Sequence, residues 1–290
     1  MQSDSQLCQS CPILATVPIS DAILQEVYSS DQAMYPVNLP YSRLHSWVAA
    51  TTPSLSMSFV FQDPHASSAS AMSCSDLAES GCTNPSTDSN PDPSSELTGS
   101  SASFTSAAVQ SSDGKIAVAG VIIVLPLLKH HWLDLLQGKL KESEIDPVTM
   151  FPKEQERAEQ VEVGLHVYHI ERFAVPRREK QDWKSALKGK KFAEFALDEV
   201  MGRVEREKRR WRVLGQSALT ATQNGQRAFR RLGFVPTGYR EFFVEKGSEN
   251  GKKMFDMICT YVEDDMFEDL KGSDKSVVLR SEMTVKYSAN

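Results

Sequence analysis

The sequence has few cysteines, no excess of positive charge and no apolar run long enough to cross a membrane. Only five of its 290 residues are Cys, an odd number that indicates reduced thiols and a location in the cytoplasm or the nucleus. The formal net charge of −6 argues against a nucleic-acid-binding protein, whose domain is usually basic. The longest apolar run, Ile116–Leu128, is shorter than the roughly 20 residues of a membrane helix. We therefore expect a soluble protein without nucleic-acid or membrane partners.

Signals for secretion and for metal binding are also missing. The first residues contain no basic segment followed by an apolar stretch, so we expect no signal peptide. Cys8 and Cys11 form a CxxC pair, but no second CxxC or histidine pair completes a zinc site. We expect no metal.

Composition divides the chain into one folded domain, an insert and a tail. Residues 63–113 consist largely of Ser, Ala, Asp, Pro, Thr and Gly, which cannot bury enough apolar surface to offset the entropy of ordering. Strand-like segments lie on both sides, so this segment is predicted to be a disordered insert in a loop. The predicted domain spans residues 12–265, and residues 266–290 are predicted to be a flexible C-terminal tail.

The order of predicted helices and strands is typical of an α+β layered domain with a mixed, mostly antiparallel sheet flanked by helices. In the strand that begins near residue 161, Leu165, Val167 and His169 are predicted to share one face, with a register change near Gly164. A long helix is predicted from about Lys191. A short helix then ends on Leu-Gly-Phe, and its glycine fits a left-handed C-cap.

Three lysines precede the long helix, and they carry the first functional signal. Lys188, Lys190 and Lys191 crowd its start, around Gly189. One interpretation is a solvated basic loop. The other is an anion site, in which free helix N–H groups, the helix dipole and lysine side chains converge on a phosphate. No complete phosphate-loop pattern is present, so the lysines alone leave both interpretations open.

Together with its surroundings, this loop resembles the core of GNAT-type N-acetyltransferases. The family's pyrophosphate-binding pattern, [QR]xxGx[GA], aligns with Lys188-Gly189-Lys190-Lys191-Phe192-Ala193, where Lys191 replaces a glycine. The segment that ends in "RRLGF" resembles the family's Y-x-x-x-GF signature, with Phe229 in the position of the tyrosine that commonly protonates the leaving thiolate. The resemblance implies acetyl-CoA as co-substrate. It also implies cofactor contacts from Thr222 and Asn224.

A further similarity, to arylalkylamine N-acetyltransferases, points to candidate catalytic residues. Those enzymes use two histidines, two residues apart on one strand, to assist deprotonation of the amine, and the matching positions are His169 and Glu171. A carboxylate or an imidazole can accept the proton of an ammonium group. The resemblance also implies that a backbone N–H around Phe173, Ala174 and Val175 holds the oxyanion and contacts the cofactor.

The resulting hypothesis is an acetyl-CoA-dependent N-acetyltransferase that acts on a small primary amine. Two alternatives stay open. One is a protein with the same fold that binds CoA or a partner without catalysis, which the replacements at Lys191 and Phe229 favour. The other is a nucleic-acid-associated protein that uses local basic segments, although the acidic total argues against it.

Overall fold

The computed structural model describes residues 13–34, 39–62, 108–111, 114–153, 160–175, 180–249, 252–261 and 277–289. The strands are β1 (Ile13–Val17), β2 (Met57–Gln62), β3 (Ala108–Ser111), β4 (Gly114–Leu128), β5 (Val161–Arg172), β6 (Trp211–Thr220), β7 (Val235–Glu249), β8 (Lys252–Tyr261) and β9 (Val277–Tyr287). The helices are α1 (Asp21–Met34), α2 (Tyr41–Thr51), α3 (Lys129–Leu136), α4 (Pro147–Met150), α5 (Lys180–Ala186), α6 (Phe192–Glu207) and α7 (Gln223–Arg231), with a 3-10 turn at Glu142–Glu144.

Nine strands form one mixed sheet in the order β1-β2-β4-β5-β6-β9-β7-β8, and β3 pairs with β4. β5 and β6 run parallel, whereas the other pairs of described strands are antiparallel. The predicted α+β class, with a mixed and mostly antiparallel sheet flanked by helices, is confirmed. The apolar run Ile116–Leu128 belongs to β4, and within the described ranges no helix has the length and apolarity to cross a membrane.

Helices cover both faces of the sheet and divide the core into two clusters. On one face, α1, α2 and α3 pack around side chains such as Ile23, Trp47 and Trp132. On the other face, α5, α6 and α7 contribute Ala186, Val200 and Phe229. Burying an apolar stripe of each helix against the sheet supplies the hydrophobic stabilisation of the layers.

The register of β5 differs from the predicted alternation at one residue. The predicted change near Gly164 is confirmed, because the pairing with β6 shifts between Val163 and Gly164. Against β4, however, Ile123 pairs with His169 and Val124 pairs with Val167, so Tyr168 is an extra, bulged residue. The prediction that His169 shares a face with Leu165 and Val167 is therefore wrong. The bulge turns the imidazole to the α1 face.

The C-terminal prediction is wrong for residues 277–287. These residues, predicted to lie in a flexible tail, form β9, which pairs with β6 on one side and β7 on the other. Both faces of a central strand are covered, so even its polar side chains Ser281 and Thr284 are buried. Residues 266–276 of the predicted tail lie outside the described residues.

The predicted insert is only partly described. Residues 63–107, 112 and 113 lie outside the described residues, as do Cys8 and Cys11. Residues 108–111 form β3, which pairs with the start of β4 in a hairpin register from Ala108 opposite Ala117 to Ser111 opposite Gly114. The prediction of disorder is therefore wrong for this last part of the insert.

Candidate functional site

The parallel strands β5 and β6 separate, and a cavity opens where they do. Their register ends at the pair Val167 and Ala218, although β5 continues to Arg172 and β6 to Thr220. Beyond this point a cavity of about 800 Å³ lies between the end of β5, the start of α6 and α7. Eight of the residues singled out in the sequence line it: His169, Glu171, Lys191, Phe192, Ala193, Thr222, Asn224 and Phe229.

The N-terminus of α6 points into this cavity. Lys191 is the N-cap and makes no side-chain capping hydrogen bond, and the first helical bond runs from Phe195 N to Lys191 O. The N–H groups of Phe192, Ala193 and Glu194 have no acceptor within the helix, and these three residues line the cavity. The helix dipole adds partial positive charge at this end. The arrangement has the chemistry of an anion site.

Phe192 anchors the start of α6 to the sheet. Its ring packs edge-on against Phe59 and Trp183, with centroids 5.4 and 6.4 Å apart. It also covers Gly120 of β4, where an added Cβ would lie 2.3 Å from the ring and 2.6 Å from the backbone oxygen of Glu171. The glycine is therefore required for the close approach that sets the helix beside the end of β5.

The backbone of the lysine loop ends α5. The N–H groups of Lys188, Gly189 and Lys190 donate to carbonyl oxygens of α5 and of the residue that follows it. Lys188 and Gly189 have φ of 53° and 77°, the left-handed region that such a C-cap uses. The Lys190 ammonium binds Asp198 of α6, which raises the pKa of Lys190. These three residues are not among those that line the described cavity.

Helix α7 forms the opposite wall. Thr222 is its N-cap, and its Oγ1 accepts the N–H of Gly225 at 3.0 Å. One lone pair of the hydroxyl oxygen is thus used for capping, and the hydroxyl can still donate its hydrogen. Asn224 is exposed at the same end. Phe229 is buried and packs edge-on against Phe234, with centroids 4.9 Å apart, so this position of the cavity wall has no hydroxyl.

His169 connects two carboxylates. Its Nδ1 lies 3.0 Å from Oδ1 of Asp31 in α1, and its Nε2 lies 3.2 Å from Oε2 of Glu171. The imidazole is 7% exposed, whereas the Glu171 side chain is 31% exposed at the cavity. Burial alone would lower the pKa of His169, but the charge and hydrogen bond of Asp31, followed by those of Glu171, raise it to about 9. His169 is therefore a cation at neutral pH.

The segment after β5, predicted to supply an oxyanion donor, lies beside the cavity rather than in its wall. Phe173, Ala174 and Val175 are not among the lining residues of the described cavity. The N–H of Phe173 donates to the carbonyl of Ala119 at 3.0 Å. The Phe173 N–H is therefore already bonded, and an oxyanion donor around Phe173, Ala174 and Val175 remains a prediction.

A second histidine of β5, His166, lies in a closed hydrogen-bonded chain. Its Nε2 is 2.6 Å from Oε1 of Glu142, and its Nδ1 is 3.0 Å from Oγ of Ser217. Trp132 Nε1 donates to the same Ser217 oxygen at 2.9 Å. Burial raises the pKa of the Glu142 carboxyl, although the hydrogen bond from His166 opposes this effect.

Sequence reasoning missed three contributors to the site: Asp31, Arg172 and Arg231. Arg172 and Arg231 line the cavity, and Arg172 also lies over the Trp183 ring at 5.1 Å. Asp31 comes from a helix 138 positions before His169 in the sequence. Of these three residues, only Arg231 had a local signal in the sequence, since it lies in the last turn of the helix that carries the RRLGF segment.

Comparisons with known proteins give similarities in structure only. No protein-family model matches the sequence, and no curated protein sequence matches it. The structure is similar to Arabidopsis thaliana NAA60 in complex with acetyl-CoA, with a TM-score of 0.39 and 8% identity over 94% of this chain and 98% of that chain. It is also similar to a mosquito arylalkylamine N-acetyltransferase like 5b, with a TM-score of 0.38 and 9% identity over 95% of this chain and 100% of that chain.

Proposed function

We propose that this protein is an acetyl-CoA-dependent N-acetyltransferase that transfers the acetyl group to a primary amine by direct attack on the thioester. The observation that carries the proposal is one cavity that combines an uncapped helix N-terminus with an acid–base group. Its lining includes Lys191, Phe192 and Ala193 from the start of α6 and His169 and Glu171 from β5. The sequence resemblance assigns these two sets of residues to the two halves of the same reaction.

On the donor side, the start of α6 suits a diphosphate. Three N–H groups without helical acceptors and the positive end of the dipole favour a bound anion. The side chains of Lys191 and Arg231 add two cations to the same cavity. Acetyl-CoA placed with its pyrophosphate here would have its pantetheine arm between α7 and the end of β5, which directs the thioester toward Glu171.

On the acceptor side, Glu171 is the candidate base. A primary ammonium has a pKa near 10 and must lose a proton to become a nucleophile. His169 holds protons on both ring nitrogens, because each nitrogen faces a carboxylate. Glu171, which is partly exposed at the cavity, therefore accepts the proton. The amine nitrogen then bonds to the carbonyl carbon, the C–S bond breaks, and CoA leaves as a thiolate. The thiolate takes up the second proton, which the nitrogen loses as the amide forms.

A second candidate function is CoA binding without catalysis. Phe229 favours it, because the family tyrosine that commonly protonates the thiolate is replaced by a buried ring. A thiolate is already a good leaving group, so we expect transfer to proceed without this acid. Saturable CoA binding with no thiol release from any amine would establish the second function instead of the first.

The decisive experiment combines calorimetry with a thiol-release assay. Acetyl-CoA is titrated into the protein, and release of CoA is then followed with arylalkylamines, polyamines and lysine peptides. The proposal expects saturable binding and amine-dependent release. Absence of acetyl-CoA binding would remove both candidate functions.

A charge reversal at the helix start tests the donor half. Lys191→Glu should raise the Kd for acetyl-CoA tenfold or more, because a charge-assisted hydrogen bond to phosphate contributes about 1.5–3 kcal/mol. Lys139→Glu is the matched control, since Lys139 is exposed and lies outside the cavity. Equal affinities for the two variants, measured by calorimetry at one salt concentration, would contradict the assignment.

A further inference from the structure

Arg172, the last residue of β5, lies beside the start of α6. Its partner in the antiparallel pair with β4 is Gly120, and residues directly opposite each other in such a pair lie on the same face of the sheet. The ring of Phe192, the first residue of α6, covers Gly120 on that face. The Arg172 side chain therefore leaves the sheet next to the N-terminus of α6, and it lines the same cavity.

A tryptophan of α5 holds this guanidinium. The central carbon of the Arg172 guanidinium lies 5.1 Å from the centre of the Trp183 ring, which is a cation–π contact. The indole is itself fixed, because it packs edge-on against Phe61 and Phe192 with centroids 4.9 and 6.4 Å apart. No carboxylate of the described residues pairs with Arg172, so its N–H groups are left for a ligand.

The lysine loop before α6 does not bring its own cation to the described cavity. The N–H groups of Lys188, Gly189 and Lys190 cap α5, and the Lys190 ammonium binds Asp198. Lys188 aligns with the Gln or Arg of the phosphate-binding pattern, but it is not among the residues that line the cavity. Helix α5 thus uses the backbone donors of this loop, while its Trp183 holds a different cation at the cavity.

The charges around the cavity match those of a diphosphate. Arg172, Lys191 and Arg231 line it together with the cationic ring of His169, and Glu171 and Glu194 are its acidic residues. The lining therefore holds four cations and two carboxylates. The excess of two positive charges equals the negative charge of the diphosphate in acetyl-CoA.

We propose that Arg172, held over Trp183, binds the diphosphate of acetyl-CoA in place of Lys188. The inference rests on the proposed function, which supplies the identity of the ligand. A planar guanidinium donates two parallel hydrogen bonds to phosphate oxygens. Trp183 is a positioning residue, because its ring restricts the guanidinium before the ligand arrives and so reduces the side-chain entropy lost on binding.

The first test titrates acetyl-CoA into variants of Arg172 by calorimetry. Arg172→Gln should raise the Kd tenfold or more, because it removes charge-assisted hydrogen bonds to phosphate. Arg172→Lys should recover part of the affinity, since an ammonium keeps the charge but not the two parallel donors. The matched control is Arg209→Gln, the same change at an exposed arginine outside the cavity, and its Kd should stay within twofold of the wild type. Equal Kd values for Arg172→Gln and the control overturn the assignment.

Two further acetyl donors locate the contact on the ligand. Acetyl-dephospho-CoA lacks the 3′-phosphate, and S-acetylpantetheine lacks every phosphate. Arg172→Gln should weaken binding of acetyl-dephospho-CoA as much as that of acetyl-CoA, and it should leave kcat/KM for thiol release from S-acetylpantetheine within twofold. A loss confined to acetyl-CoA assigns Arg172 to the 3′-phosphate and overturns the proposal. An equal loss with S-acetylpantetheine indicates a distorted site and also overturns it.

A double-mutant cycle tests the role of Trp183. Trp183→Leu should raise the Kd for acetyl-CoA about threefold in the presence of Arg172 and should have little further effect in Arg172→Gln. Trp183→Phe keeps an aromatic face and should recover part of the affinity. Equal effects of Trp183→Leu in both backgrounds overturn the positioning role, because a general loss of packing does not depend on Arg172.

The outcomes separate this inference from the proposed function. Amine-dependent thiol release tests the function, whereas the Arg172 variants test the contact by binding alone. Thiol release combined with equal Kd values for Arg172→Gln and Arg209→Gln retains the function and overturns the inference. Arg172-dependent binding without thiol release from any amine retains the contact and contradicts acetyl transfer. Absence of acetyl-CoA binding in the wild type overturns both.

Discussion

Two histidines of one strand, His166 and His169, have opposite surroundings. His166 faces one carboxylate, Glu142, and one hydroxyl, Ser217. Because Ser217 already accepts the indole N–H of Trp132, its own hydrogen can be donated to Nδ1.

His169 faces a carboxylate at each ring nitrogen, so both nitrogens must donate. The ring is held as a cation, and one of its partners reaches the cavity. Both rings are buried, so their partners and not their burial distinguish the two histidines. His166 completes a closed structural chain, whereas His169 lies in a chain that is open to a ligand.

The largest effect should be on stability, and it should come from breaking the hydrogen bonds of His166. His166→Ala leaves the Glu142 carboxyl without its partner in a buried position and opens a cavity, so we expect a loss of about 3–5 kcal/mol in the free energy of unfolding. Urea denaturation measures the loss. His166→Gln, which keeps a donor for Glu142, is the control and should lose less. Equal, small losses for both variants would contradict a structural role for this chain.

Breaking the hydrogen bonds of His169 should instead lower activity. His169→Gln is expected to lower kcat about a hundredfold, because acid–base groups typically contribute 10²–10⁴ in rate. Its loss of stability should be smaller than that of His166→Ala, since both partners of His169 are partly exposed. The thiol-release assay and urea denaturation measure the two quantities on the same sample. A variant with full activity would remove His169 from the mechanism.

The smallest effect should be the contribution of His169 to the pH dependence of stability. The folded-state pKa of His169, about 9, lies above the ordinary value of 6.5. Its stabilisation is therefore fully present below pH 6.5 and is lost as pH rises through 9. We expect the wild type to lose up to about 3 kcal/mol relative to His169→Gln over this range. Parallel stability curves for the two proteins between pH 6 and pH 10 would contradict the cationic state.

Local signals in the sequence predicted the elements that carry the donor side. The apolar stripe of α6 and the glycine after α7 act within a few residues, so they are visible without the fold. β9 was missed, because a strand buried on both faces contains Ser281, Glu282 and Thr284 and so reads as polar. Glu282 is tolerated there because Arg230 and Arg240 bind its two oxygens.

The hydrogen-bonded group of Asp31, His169 and Glu171 could be predicted only in part. His169 and Glu171 were found because they lie two residues apart on one strand, as the resemblance required. Asp31 could not be found, because its contact depends on a bulge at Tyr168 and on how α1 packs over the sheet. The cap that the lysine loop makes on α5 could not be predicted either, since nothing in its composition shows it.

The position of β9 has a consequence for how the protein acquires its fold during translation. β6, which leads into the α7 wall of the cavity, and β7 are separated in the sheet by β9, a strand that follows both of them in the sequence. While the ribosome still holds residues 277–287, the two strands lack the neighbour that joins them. The layer of the sheet behind α7 can therefore reach its final shape only after β9 has been synthesised.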